Sequence, residues 1–117
     1  MKIRTAQWIV GLAAALPLAA AHAEVDKKTE RTWKSKCASC HGVDGKGQTD
    51  TGKKMGVKDY STADWQKSKT DAQLKEAILN GVAAREVDGK KQEMDGYKGK
   101  FDDQVDGLVA LIRGLKK

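Results

Sequence analysis

Proline is nearly missing from this chain of 117 residues: its one copy is Pro17, so no later turn is set by a proline ring. Histidine occurs only at positions 22 and 41, and cysteine only at Cys37 and Cys40. A disulfide between these two cysteines would close a very small loop and would hardly restrict the unfolded chain, which excludes a structural staple. Aromatic residues are also few, six in all, against 32% charged residues. A chain so composed buries only a limited core by itself. Long apolar runs are absent apart from Ile9 to Ala21, 13 residues without charge. At about 1.5 Å rise per residue that run falls short of a bilayer core of about 30 Å, which argues against a spanning helix.

What the run does resemble is an export signal. Lys2 and Arg4 make a basic start with no acid, and Ala21-His22-Ala23 puts small residues where a signal peptidase cuts. Residues 1–23 therefore read as a signal peptide cleaved before Glu24, and residues 24–117 as a single domain without membrane insertion. Cleavage would leave 94 residues, His41 as the sole histidine, and five aromatics: Trp33, Tyr60, Trp65, Tyr97 and Phe101. Lys2 and Arg4 would leave with the signal, so the net charge would fall from +6 to +4.

Along this stretch the pattern is helical with long connections. Residues 26–40 read as an N-terminal helix, on which Trp33 and Cys37 stand four apart on one face. Residues 42–58 hold five glycines and read as a long irregular loop. Ser61 or Thr62 can cap a short helical turn carrying Trp65. Thr70 and Gln73 form a capping box opening a helix with Leu74, Ala77 and Ile78 on one stripe and Gly81 as its stop. Residues 82–100 are polar and read as a second loop. Asp102 or Asp103 then caps a final helix with Val105, Leu108, Val109, Ile112 and Leu115 as its apolar stripe. No strand pattern of useful length and no internal repeat appears, so the fold class is all-α.

Chemistry concentrates in "KCASCHGVDGKG", Lys36 to Gly47. Cys-x-x-Cys-His is the attachment signature of a c-type haem. Two thioethers must reach neighbouring vinyl groups on one porphyrin edge while the next residue reaches the iron, and a two-residue gap within one turn allows both. A large flat apolar haem c would also fill the small core. Structural zinc would need a carboxylate beside Cys37, Cys40 and His41 to complete four donors. A redox dithiol belongs at the start of a helix after a strand, whereas here the helical pattern lies upstream. With His41 on one side of the iron, Met55 and Met94 are the candidate sixth donors. Met55 follows His41 by only 14 residues and would have to turn back sharply, while Met94 has a long connection and stands isolated in a polar segment. This favours Met94. Trp65 sits in the polar stretch "STADWQKS", where it is either a core ring with a satisfied N–H or a donor to a haem propionate.

The segments "WKSKCASCHGVDGKG", "TDAQLKEAILNG" and "VDGLVALIRGL" resemble the first helix with its haem motif, the middle helix and the last helix of monohaem class I cytochromes c, the small bacterial periplasmic kind. The resemblance spans Thr29 to Lys117. It implies three to five helices with long loops wrapped around one haem attached through Cys37 and Cys40, with His41 proximal and Met94 distal. It makes Trp33 the aromatic packed where the terminal helices cross, with Leu108, Leu111 and Ile112 beside it, and Ile78 a pocket aliphatic. Departures from the family pattern are Asp95-Gly96 after the distal Met in place of proline, Leu111 in place of an aromatic, and Thr29 in place of a small glycine. The proximal His is expected to donate to a backbone carbonyl, here one between Gln48 and Met55.

The function implied is soluble periplasmic electron transfer by a monomer that is not an enzyme, because both axial positions are filled by protein. The alternative is a haem enzyme accessory or gas-binding sensor domain with a displaceable distal ligand. Lys46, Lys53, Lys54 and Lys58 in one loop and Lys90, Lys91, Lys98 and Lys100 in the other read either as a solvated surface, with Glu93, Asp95, Asp102 and Asp103 interleaved, or as a positive rim that steers a redox partner with an acidic docking surface. Nucleic acid is not expected as a partner.

Overall fold

The computed structural model describes Gly11 and residues 25–117, so the expected signal peptide lies outside the described residues. Helix α1 (Lys27–Thr32) starts at Asp26, whose carboxylate accepts from the Thr29 amide at 2.7 Å. It continues without a break through a π-helical turn, Trp33–Cys37, into α2 (Ala38–His41). In the π turn the Ala38 N–H bonds to the Trp33 carbonyl, one residue further back than in an α-helix. The turn therefore rotates the Cys-x-x-Cys-His segment relative to Trp33. Such insertions are frequent at functional sites.

The glycine-rich segment after the motif is not all loop. It contains a helix, α3 (Asp50–Met55), capped by the Thr49 hydroxyl, which accepts from the Gly52 amide at 2.9 Å. Thr62 caps α4 (Ala63–Ser68). Thr70 and Gln73 form both bonds of the capping box that opens α5 (Asp71–Asn80). Asp102 and Asp103 lie in a 3₁₀ turn, Asp102–Gln104, that leads into α6 (Val105–Gly114), and neither caps it. The Asp102 carboxylate instead accepts from the Gly99 amide.

The second predicted loop is in large part a β-hairpin. Strand β1 (Val82–Val87) pairs antiparallel with β2 (Lys90–Met94) around a two-residue turn, Asp88-Gly89, with φ of 51° and 75°. Two positive φ angles in a two-residue loop match the right-handed twist of the strands, and Asp-Gly adopts them readily. The fold remains helical with this small sheet added.

The core lies where α5 and α6 pack together and α6 crosses the first helix. Trp33, Leu74, Ile78, Val105, Leu108, Val109 and Ile112 are all buried there, and Leu111 packs against them partly exposed. The crossing accommodates Thr29 through Gly107 on α6, where a Cβ would come within 3.0 Å of the Thr29 hydroxyl. The small residue at this crossing thus stands on α6, opposite Thr29. At the other end of α6 the buried Gln66 amide donates to the Tyr60 and Ile112 carbonyls at 2.7 and 2.9 Å. Arg113 donates to the Gln66 and Lys69 carbonyls, both at 2.6 Å, and pairs with Asp71 at 2.8 Å. These bonds tie the end of α6 to the junction of α4 and α5.

Candidate functional site

One apolar cleft, with about 410 Å³ of empty space open to solvent, runs through this core. The first helix contributes Trp33, Cys37 and His41, α5 contributes Leu74, Ala77 and Ile78, and α6 contributes Leu108 and Ile112. Met94, at the end of β2, and Tyr60 complete the lining. The candidates Cys37, His41, Met94 and Ile78 therefore meet in one space. Cys40 stands one helical turn from Cys37, half-buried, and does not line the cleft. Met55 ends α3, outside the lining.

Burial dominates the chemistry of the first wall. It pushes the Cys37 thiol up to about 11, with the neighbouring Cys40 adding to the rise. It pulls the His41 imidazole down to about 4, so the ring is neutral at physiological pH. The ring lies between Trp33 and Tyr60, with centroids 5.9 and 4.9 Å away. Trp33 is anchored by its indole N–H, which donates to the Val43 carbonyl at 3.3 Å.

His41 does not make the hydrogen bond expected of it. Its Nδ1 is buried with no partner among the described residues. Within the expected stretch, three carbonyls are engaged by α3 and the hairpin. That of Thr49 accepts from the Lys53 amide, that of Gly52 from the Val57 amide, and that of Lys53 from the Lys90 ammonium. A buried polar nitrogen without a partner is costly, and a neutral imidazole is a common metal ligand.

Met94 reaches the cleft because two glycines let the chain pass close beneath it. A Cβ on Gly81 would collide with the Met94 carbonyl oxygen, and one on Gly96 would approach the Leu79 carbonyl oxygen to 2.6 Å. The Tyr97 and Lys98 amides then donate to the Ile78 and Leu79 carbonyls at 2.9 and 3.0 Å, closing the end of α5. Trp65 stands behind the lining and stacks on Tyr60 with centroids 3.9 Å apart. Nothing local in the sequence marks Tyr60. It follows a glycine-rich stretch with no periodic pattern, and only the return of the chain, fixed by its amide donating to the Gly45 carbonyl at 2.8 Å, brings it to His41.

These donors fit a covalently held haem. Two thiols lie one turn apart on a helix, a neutral imidazole lies among apolar side chains, and a thioether completes the lining. Zinc fits less well: no cluster of three or more His, Cys, Asp or Glu side chains forms among the described residues.

Comparison with known proteins agrees with this. The sequence model of one family, described as cytochrome c, matches residues 27–116. A solved structure titled "KustC0563 c-type cytochrome" is similar at 31% identity and a TM-score of 0.64, over 76% of this chain and 98% of its own. A tyrosine-to-phenylalanine mutant of the same protein is similar at 30% identity and a TM-score of 0.62, over 75% and 98%. No curated protein matches the chain.

Proposed function

This chain belongs to the cytochrome c family, and from that premise we propose that it is a periplasmic carrier of single electrons with one haem c and His41/Met94 axial ligation. When bound, haem supplies the one-electron change. The observation that carries the ligation is the cleft, whose lining includes both His41 and Met94 but not Met55. In this reading Cys37 and Cys40 hold the group by thioether bonds. Trp33 and Tyr60 hold the His41 ring in place. The aliphatic side chains of α5 and α6 exclude water. A thioether opposite an imidazole favours the reduced state relative to two nitrogen ligands. With His41 and Met94 both holding the iron, no position would be left for a substrate, which favours electron carriage over catalysis.

The packing of β2 on α3 supports an acidic redox partner. It brings lysines of two separate sequence clusters together, and the Lys90 ammonium donates to the Lys53 carbonyl at 2.9 Å. Exposed Lys53, Lys54 and Lys90 then share one region of the surface, where opposite charge would steer association. Export and cleavage before Glu24, leaving a monomer, complete the proposal.

The test is expression in a host that matures c-type haem. The purified protein is expected to be red, and the colour to survive both denaturation and acid-acetone extraction. A colourless protein, or one whose colour extracts, would overturn covalent attachment.

A further inference from the structure

We infer that Gln92 is a positioning residue for Met94, acting through a bond that fixes the hairpin to α3. This rests on the reading of Met94 as distal ligand and adds how the chain holds it there. In β2 the half-buried positions alternate with exposed ones, so Gln92 and Met94 point to the same face while Lys91 and Glu93 point away. The register is interrupted between Val82, opposite Met94, and Arg85, opposite Gln92. An extra residue on β1 therefore falls opposite Glu93, next to Met94. A bulge of this kind bends its strand and re-aims neighbouring side chains.

The Gln92 side chain anchors this arrangement from outside the hairpin. Its amide nitrogen donates to the Gly56 carbonyl at 3.0 Å, across 36 residues of chain, and its oxygen accepts from the Arg85 side chain at 3.3 Å. Gly56 is the end of α3. The start of α3 is fixed to the haem motif, because the Thr49 hydroxyl lies 2.7 Å from the Ser39 carbonyl oxygen and 3.2 Å from that of Cys40. One short helix thus joins the segment carrying His41 to the strand carrying Met94. Because Gln92 and Met94 share a face two residues apart, releasing Gln92 frees the strand end that presents the sulfur. A slip of one residue would turn Met94 outward.

The haem-loaded protein tests this with added imidazole and with the sulfur-to-iron absorption of the oxidised form. An external ligand must wait for the sulfur to leave, so its apparent affinity follows the population of the sulfur-off state. Loss of one partly buried hydrogen bond raises that population about fivefold. Gln92→Ala is therefore expected to bind imidazole about fivefold more tightly and to lose part of the sulfur-to-iron absorption. Thr32→Val, which breaks the distant 2.6 Å bond between Thr32 and Gln104, is expected to lower stability and leave both readouts unchanged. If Gln92→Ala matches wild type, or if Thr32→Val shifts imidazole binding equally, the inference is overturned. Met94→Ala separates this from the underlying reading: if it changes neither readout, Met94 is not the ligand and the inference falls with it. If it changes both while Gln92→Ala changes neither, only the role of Gln92 is lost.

Discussion

Met94 and Met55 are the two thioethers among the described residues, and they stand in different places: one lines the cleft, the other ends a surface helix. Met94→Ala is expected to open the iron to added cyanide or carbon monoxide and to lower the reduction potential. Met55→Ala is expected to do neither. Ligand titration followed by absorption, with a redox titration beside it, checks both, and the reverse pattern would exchange the two assignments. Cys37, Cys40 and His41 were legible because their spacing is itself the chemical signature. Tyr60 was not, because nothing local marks it. It becomes a wall of the cleft through a backbone bond to Gly45, a contact formed only when the chain returns past the motif.

Among the elements, the first helix and its crossing with α6 offer two checks. Asp26 caps α1 by accepting from the Thr29 amide, and that bond holds its carboxyl below the ordinary value of 3.8. A depressed folded value means the cap contributes its full stability above 3.8 and loses it as pH falls below 3.8 through the lower folded value. Asp26→Asn, which still caps, is expected to remove this part of the acid sensitivity in melts followed against pH. At the crossing, Gly107 leaves room for Thr29. Gly107→Ala is expected to be better tolerated with Thr29→Ala than alone, by about 1 kcal/mol of coupling in a double-mutant cycle. Additive effects would mean the helices do not meet at this pair. The hairpin was missed for a physical reason. Both its strands are mostly exposed, so no alternation of apolar and polar residues marks them. Asp88-Gly89 was the available signal, a strong one for a two-residue turn. Helix α3 was hidden by Gly52, which weakens helical propensity yet is buried in the fold.

For the molecule as a whole, the contact between the chain's two ends closes the fold around the cleft. Trp33 is 3% exposed and Leu108 is 1% exposed, and both line the cleft as well as the crossing. Trp33→Ala is expected to cost about 3–5 kcal/mol, severe for a domain holding about 5–15 kcal/mol in all. Haem attachment, being covalent, is expected to persist. Denaturant melts decide this: a loss below about 1 kcal/mol, the level of a surface change, would mean the ring is not a core element of the crossing.

The chain's own order of residues determined which chemistry is available. Cys37, Cys40 and His41 lie within one turn, so their relation is local and survives in any helical fold. The capping box at Thr70 and the apolar stripe of α6 are likewise local patterns, and both helices form where those patterns place them. Tertiary structure alone decided what shares the cleft with His41. Met94 is brought to the cleft by Gly81 and Gly96, by a bulge opposite Glu93 and by the bond from Gln92 to Gly56. Each of these is a contact between segments far apart in sequence or a backbone approach that no periodicity encodes. The same holds for the surroundings of the His41 Nδ1, which is buried without a partner among the described residues in a setting that exists only in the folded chain.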